Sequence, residues 1–181
     1  QNFEELFGCR MRGRYGQLDQ PEDAVVGLRA VRGLGDIEAG ARFTAPRGNR
    51  GRESAYLAVE PPGATVIAED GAGRPALLAH SLGAGRVFLC TYPIEYLLLN
   101  APDGNLATSL HSLYGAMASE AGIRGRFEGK HPCLEAGVLE KAGSPPILLV
   151  VNHVHRPIAC RMRDAETGAA VDVEIEPKGV H

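Results

Sequence analysis

The sequence predicts an α/β domain, a mixed sheet with a flanking helix, over residues 1–124, followed by a small antiparallel β domain of sandwich-like type over residues 125–181. Three observations lead there. The stretch Pro75 to Glu95 holds two apolar runs, Pro75 to His80 and Val87 to Tyr92, joined by a turn containing Gly83 and Gly85. Neither run alternates cleanly, as expected of strands covered on both faces. Asp103 to Ala121 carries Leu106, Leu110, Leu113, Met117 and Ala121 at helical spacing, a single apolar face that must pack on a neighbouring surface. From Arg124 onward the helical period disappears, and short strand candidates separated by Gly and Pro take over.

Taken in order, Asn2 to Phe7 reads as the end of a helix stopped by Gly8, a residue able to take the left-handed conformation. Cys9 to Tyr15 alternates charged and less polar residues and reads as a strand. Pro21 to Val31 is ambiguous, since Pro21-Glu22-Asp23 can open a helix while Val25, Val26 and Val31 favour a strand. Ala41 to Ala45 is a strand fragment, and Pro46 to Gly51 is expected to be an exposed, mobile loop. Tyr56 to Val59 and Ala64 to Ala68 are short strands around Pro61-Pro62-Gly63, so the connections here imply largely antiparallel pairing. Asp103 is positioned to cap the helix and Gly122 to end it. In the second domain Leu134 to Glu140, Pro146 to Asn152, Ile158 to Arg163 and Val171 to Ile175 are strands, with turns at 142–145 and 165–168. Such a small unit is marginal alone and is expected to lean on another domain.

Composition limits function more than it reveals it. With 181 residues, 44% of them hydrophobic, the chain can bury a core. A net charge of −3 and the scattering of Arg12, Arg14, Arg47, Arg50 and Arg52 give no footprint for nucleic acid or an anionic membrane. Cys9, Cys90, Cys133 and Cys160 form no CxxC pair, which argues against a zinc ribbon or a disulfide scaffold. Cys90, in an apolar strand, is expected to pack as a small hydrophobe. No leader or membrane span is visible, which favours the cytoplasm. The chain starts without Met on what reads as the tail of a helix, so its natural start is expected upstream.

The phrase around Gly83, Gly85, Arg86, Tyr92, Pro93 and Glu95 resembles the closing strands of the class I amidotransferase-like, flavodoxin-like domain that follows the catalytic barrel in several glycoside hydrolases. Trimeric β-galactosidases and their β-mannosidase- or β-glucanase-like relatives are among them. Phe3 to Gly8 is similar to an earlier segment of that domain, so the resemblance spans Asn2 to Ile123. It tips Pro21 to Val31 towards strand, and the remaining third is loosely similar to the small β domain ending such enzymes. The resemblance implies a non-catalytic accessory role, supporting an N-terminal (β/α)8 barrel or homo-oligomer contacts, with carbohydrate met only through the parent enzyme.

Candidate chemistry is sparse. Glycoside hydrolysis needs two carboxylates on a rigid frame, and Glu4-Glu5, Glu22-Asp23 and Glu69-Asp70 all read as solvated charge. In active amidotransferases a nucleophilic Cys works with a His-Pro-Glu strand end. Here Tyr92 replaces the His, Pro93 and Glu95 follow, and Cys9 lacks the glycine-flanked elbow. A phenol is a poor base near neutrality, so Tyr92 and Glu95 are expected to cap and pin the strand end. His111 lies beside the helical stripe with no ligand-spaced partner. His153 and His155 share a face if extended and can then hold a metal, with Asp164, His131 or His181 as third ligand, but an exposed turn is the favoured placement. No catalytic, cofactor or metal residue is therefore assigned. Two rivals stand: a glycan-binding module using Tyr15, Tyr56 and Tyr96, which lacks Trp, and a small Cys-dependent hydrolase using Cys9 or Cys133.

Overall fold

In a computed structural model, which describes residues 2–12, 16–17, 25–46, 55–95 and 109–177, the chain divides into two compact units, Gln1–Ile123 and Arg124–His181. The first unit opens with α1 (Phe3–Phe7). The Asn2 side chain accepts from the Glu5 N–H at 2.9 Å, closing the start of the helix. Gly8, at φ 64°, closes its end by donating to the Glu4 carbonyl at 2.8 Å.

Two short ladders follow, β1 (Arg10–Met11) with β6 (Val59–Glu60) and β2 (Gly16–Gln17) with β5 (Ala55–Tyr56). The main sheet contains β3 (Val25–Ala30), β4 (Arg42–Pro46), β7 (Thr65–Asp70), β8 (Pro75–Leu82) and β9 (Gly85–Cys90), in the order β4-β3-β7-β8-β9. Every pairing in it is antiparallel. This corrects the expected α/β, flavodoxin-like mixed sheet. The physical reason was already in the sequence: β7 to β9 are joined by turns too short for a crossover helix, and parallel neighbours require one.

The expected central hairpin is present, with Leu77 opposite Cys90 and Leu82 opposite Gly85. Ala76, Leu77, Leu78 and Ala79 are buried in succession, so β8 is covered on both faces, and α1 packs against it. β9 is only half-buried. Below the sheet, α2 (His111–Glu120) contributes Leu113 and Ala116, and Leu110 just before it is fully buried. These join Leu28, Phe43, Ile67 and Leu77 in one core cluster. Ala121, expected on the apolar stripe, is instead the exposed helix end, and Ala116 takes its place. Gly35, at φ 52°, lies so close to the Ala116 backbone that a Cβ there would be 2.9 Å from its carbonyl oxygen. The capping expected from Asp103 and the loop after Pro46 lie outside the described residues.

The second unit has two antiparallel sheets. β10 (Phe127–Glu128), β13 (Ile158–Asp164) and β14 (Ala170–Ile175) form one, and β11 (Leu134–Leu139) and β12 (Ile147–Asn152) form the other. Asn152, 4% exposed, ties them at one end: its amide donates to the carbonyls of Arg156, Ile175 and Glu176 at 2.8, 3.2 and 3.2 Å. Among the described residues no helix is long and apolar enough to cross a membrane.

A Cβ on Gly8 would both force a left-handed backbone on an ordinary residue and run into the His80 ring. Gly8→Ala is expected to cost about 1–2 kcal/mol, read as a lowered urea midpoint at unchanged slope.

Candidate functional site

The strand end expected to carry chemistry is organised by Asp70. As the last residue of β7 it lies opposite Leu28, on the buried side of the sheet, and is 8% exposed. The turn that follows curls its backbone over the carboxylate: Oδ1 accepts the N–H groups of Ala72 and Arg74, both at 2.9 Å. Oδ2 accepts from Arg74 Nε and from the Tyr92 hydroxyl, both at 2.6 Å. A carboxylate has about four acceptor positions, so this one is saturated. Arg74 also lies over the Tyr56 ring, 4.7 Å from its centroid, and Tyr56 stacks on Tyr92 at 6.3 Å.

Burial alone would raise the Asp70 carboxyl, but the hydrogen bonds from Tyr92, Arg74 and Ala72 outweigh it and hold the group below its ordinary value. Tyr92 moves the opposite way, pushed up by burial and by its bond to the Asp70 anion. A phenol so placed stays protonated and cannot serve as a base. Nearby, Thr91 donates from its hydroxyl to the Pro75 carbonyl at 2.7 Å. Glu95 accepts from the Tyr114 hydroxyl of α2 at 2.6 Å, which joins the strand end to the helix and raises the Tyr114 pKa after burial. Tyr92 and Glu95 thus fasten the end of β9 to β7 and α2.

Asp70 is a correction to the sequence reading, which placed Glu69-Asp70 in solvent. The available signal was Asp70-Gly-Ala-Gly-Arg74, an acid opening a glycine turn with a base four residues on.

The thiols are not arranged for nucleophilic work. Cys9 is fully buried, and burial raises its pKa. Burial also pushes Cys90 up to about 11. Cys133 is 5% exposed. His111 is exposed at the start of α2. His153 and His155 stand in the turn after β12, both exposed. His153 Nε2 lies 3.0 Å from Glu135, while His131 accepts from the Cys133 N–H at 3.1 Å. Among the described residues no group of three His, Cys, Asp or Glu side chains is placed to hold a metal. Tyr15, Tyr96, His181, Glu22 and Asp23 lie outside the described residues.

The second unit presents two further features. A cleft of about 230 Å³ opens between its sheets, lined by Phe127, Val138, Leu148, Met162 and Val171. At its mouth Arg126 pairs with Glu140, Asp164 and Glu166 at 2.8, 3.2 and 3.4 Å, and its hydrogen bonds to Glu140 and Asp164 raise the guanidinium pKa further. On the other side of β12, Ile147, Leu149 and Val151 are 59%, 48% and 49% exposed, and Leu139 opposite Ile147 is 56% exposed. β12 is thus apolar on both faces up to Asn152, while β11 adds the charged Glu135 to the exposed face, opposite Val151. The three-stranded sheet has a charged outer face: Arg161, Arg163, Asp172 and Glu174 point outward from it.

Comparison of the chain with protein-family models and with curated protein sequences found no match.

Because its folded-state pKa lies below the ordinary 3.8, Asp70 contributes stability above that pH, and the contribution is lost as the pH falls through the lower folded value. Asp70→Asn is expected to cost about 2–3 kcal/mol at pH 7, less than a fully buried pair would because Arg74 is partly solvated. Urea unfolding between pH 7 and 2 should show wild type and variant converging as the acid limb is crossed.

Proposed function

We propose that this chain is the non-catalytic C-terminal portion of a larger carbohydrate-active enzyme, a β-galactosidase- or β-mannosidase-like glycoside hydrolase, and that it works by packing. The observation that carries the packing role is β12, apolar on both sides with Ile147, Leu149 and Val151 exposed, beside a sheet with a charged outer face. A strand apolar on both sides belongs under cover on both sides, and exposed apolar patches mark contact surfaces. The glycoside hydrolase context rests on the resemblance carried by Gly83, Gly85, Arg86, Tyr92, Pro93 and Glu95. Those residues sit on an antiparallel hairpin whose strand end is tied down by hydrogen bonds, a supporting rather than a reacting arrangement.

In this reading the partner is the N-terminal catalytic barrel of the same protein or a second copy of the chain. Carbohydrate is handled by glutamates upstream, and the location is cytoplasmic. The glycan-binding alternative loses Tyr56 as a platform, since its ring is engaged between Arg74 and Tyr92. The Cys-dependent alternative would have to use Cys9 or Cys133, both buried, with the Cys9 pKa raised by that burial.

The intact mass of the natural gene product and the sequence encoded upstream of Gln1 test the assignment. A barrel pattern with two strand-end glutamates upstream is expected, and a natural start near Gln1 would overturn it. The packing role has its own test in Leu149→Lys. In the isolated chain this exposed change should shift stability by no more than about 0.5 kcal/mol. In the natural full-length product it should lower the melting temperature or dissociate the oligomer, and an unaffected full-length protein would contradict the role given to β12.

A further inference from the structure

Across the outer face of the main sheet, β4 sets Arg42 directly opposite Arg29 of β3, and Arg29 is opposite Glu69 of β7. Both arginines are exposed, and neither side chain has a hydrogen bond or ion pair among the described residues. Like charges placed directly opposite on a sheet destabilise it, and among the described residues Glu69, opposite Arg29, offsets that cost only in part. The neighbouring cross-strand pair is Gly27 with Thr44, both exposed, and a Cβ at Gly27 would meet nothing within 4 Å. The missing side chain leaves bare backbone between the arginines and the Thr44 hydroxyl. These residues and Glu69 line a cleft of about 360 Å³, towards the small end of the range for small-molecule sites.

From this arrangement we infer that the β3–β4 face binds a small carboxylate-bearing molecule, an acidic sugar or organic acid, between Arg29 and Arg42. The two guanidinium groups and the Glu69 carboxylate sum to one positive charge, and Asp70, which also lines the cleft, is offset by its ion pair with Arg74, so the site matches a monoanion. A planar carboxylate fits a guanidinium fork through two parallel N–H···O bonds, and a bound anion turns the opposed cations from a cost into a pair of partners. Thr44 and Glu69 flank that position and can serve hydroxyl groups on the rest of the molecule. A phosphate dianion would carry a second negative charge towards Glu69, which disfavours it. The site is independent of the packing role given to β12, because it uses only residues of the first unit.

Titration of the chain with glucuronate, glucose and inorganic phosphate, followed by the backbone amides of Gly27 and Thr44 and the Nε–H signals of Arg29 and Arg42, tests the inference. Saturable shifts at all four positions are expected with glucuronate, weakening as salt is raised, with none from glucose. Arg29→Gln and Arg42→Gln should each weaken binding at least about tenfold. Arg42→Lys, which keeps the charge and removes the fork, should weaken it measurably while melting at the wild-type temperature. Glu69→Gln should tighten it. Equal shifts from glucose, tighter binding of phosphate than of glucuronate, or indifference to both arginine substitutions would each overturn the proposed site.

Discussion

The first unit depends on one buried charge. Asp70 sits where the sheet turns from β7 to β8, and its four hydrogen bonds draw together the turn backbone, Arg74 and the end of β9 through Tyr92. A carboxylate taken out of water is costly unless every acceptor position is filled, and here each one is. That requirement sets several features at once. The turn must place the Ala72 and Arg74 N–H groups over Oδ1, with Gly73 at φ 75°; Arg74 must fold back across Tyr56; and Tyr92 must be buried with its hydroxyl aimed inward. The same geometry removes Tyr92 from any proton-transfer role, since a phenol beside an anion holds its proton more firmly.

Much of the local structure was legible in the sequence because it follows from short-range rules. Gly8 ends α1, Gly83 and Gly85 flank the β8–β9 turn, and the apolar run of β8 is covered on both sides. The strand candidates separated by Gly and Pro in the second unit lie close to where β11 to β14 stand. The sheet class was misread for a reason that lies outside local pattern. Family resemblance suggested a mixed α/β sheet, while the short connections between β7, β8 and β9 implied the antiparallel pairing that is found there. Ala116 escaped notice because an alanine adds little to a hydrophobic stripe, and its burial reflects the close approach of Gly35. Asp70 escaped because an acid beside glycines usually sits in solvent; only the positions of Tyr92 and Arg74, one of them distant in sequence, make it a core residue.

The two units use their surfaces differently. In the first, apolar residues are gathered under the sheet with α2, and the outer face of β3 and β4 carries arginines and Thr44. In the second, the smaller sheet keeps Ile147, Leu149 and Val151 in contact with water. A small unit has little core to give away, so apolar side chains left outside it are better understood as one half of a contact than as a folding element. One unit is held by an internal polar network, and the other carries the exposed apolar strand on which the proposed packing role rests.

The central structural claim is that Asp70 and Tyr92 act as a pair to hold β7 and β9 together. A double-mutant cycle with Asp70→Asn and Tyr92→Phe, read by urea unfolding at pH 7, measures that pairing directly. The account predicts a coupling of about 1–2 kcal/mol, with the second substitution costing much less once the first is made. Losses that simply add, within about 0.3 kcal/mol, would show that the two side chains stabilise the unit independently and would contradict the role given to Asp70.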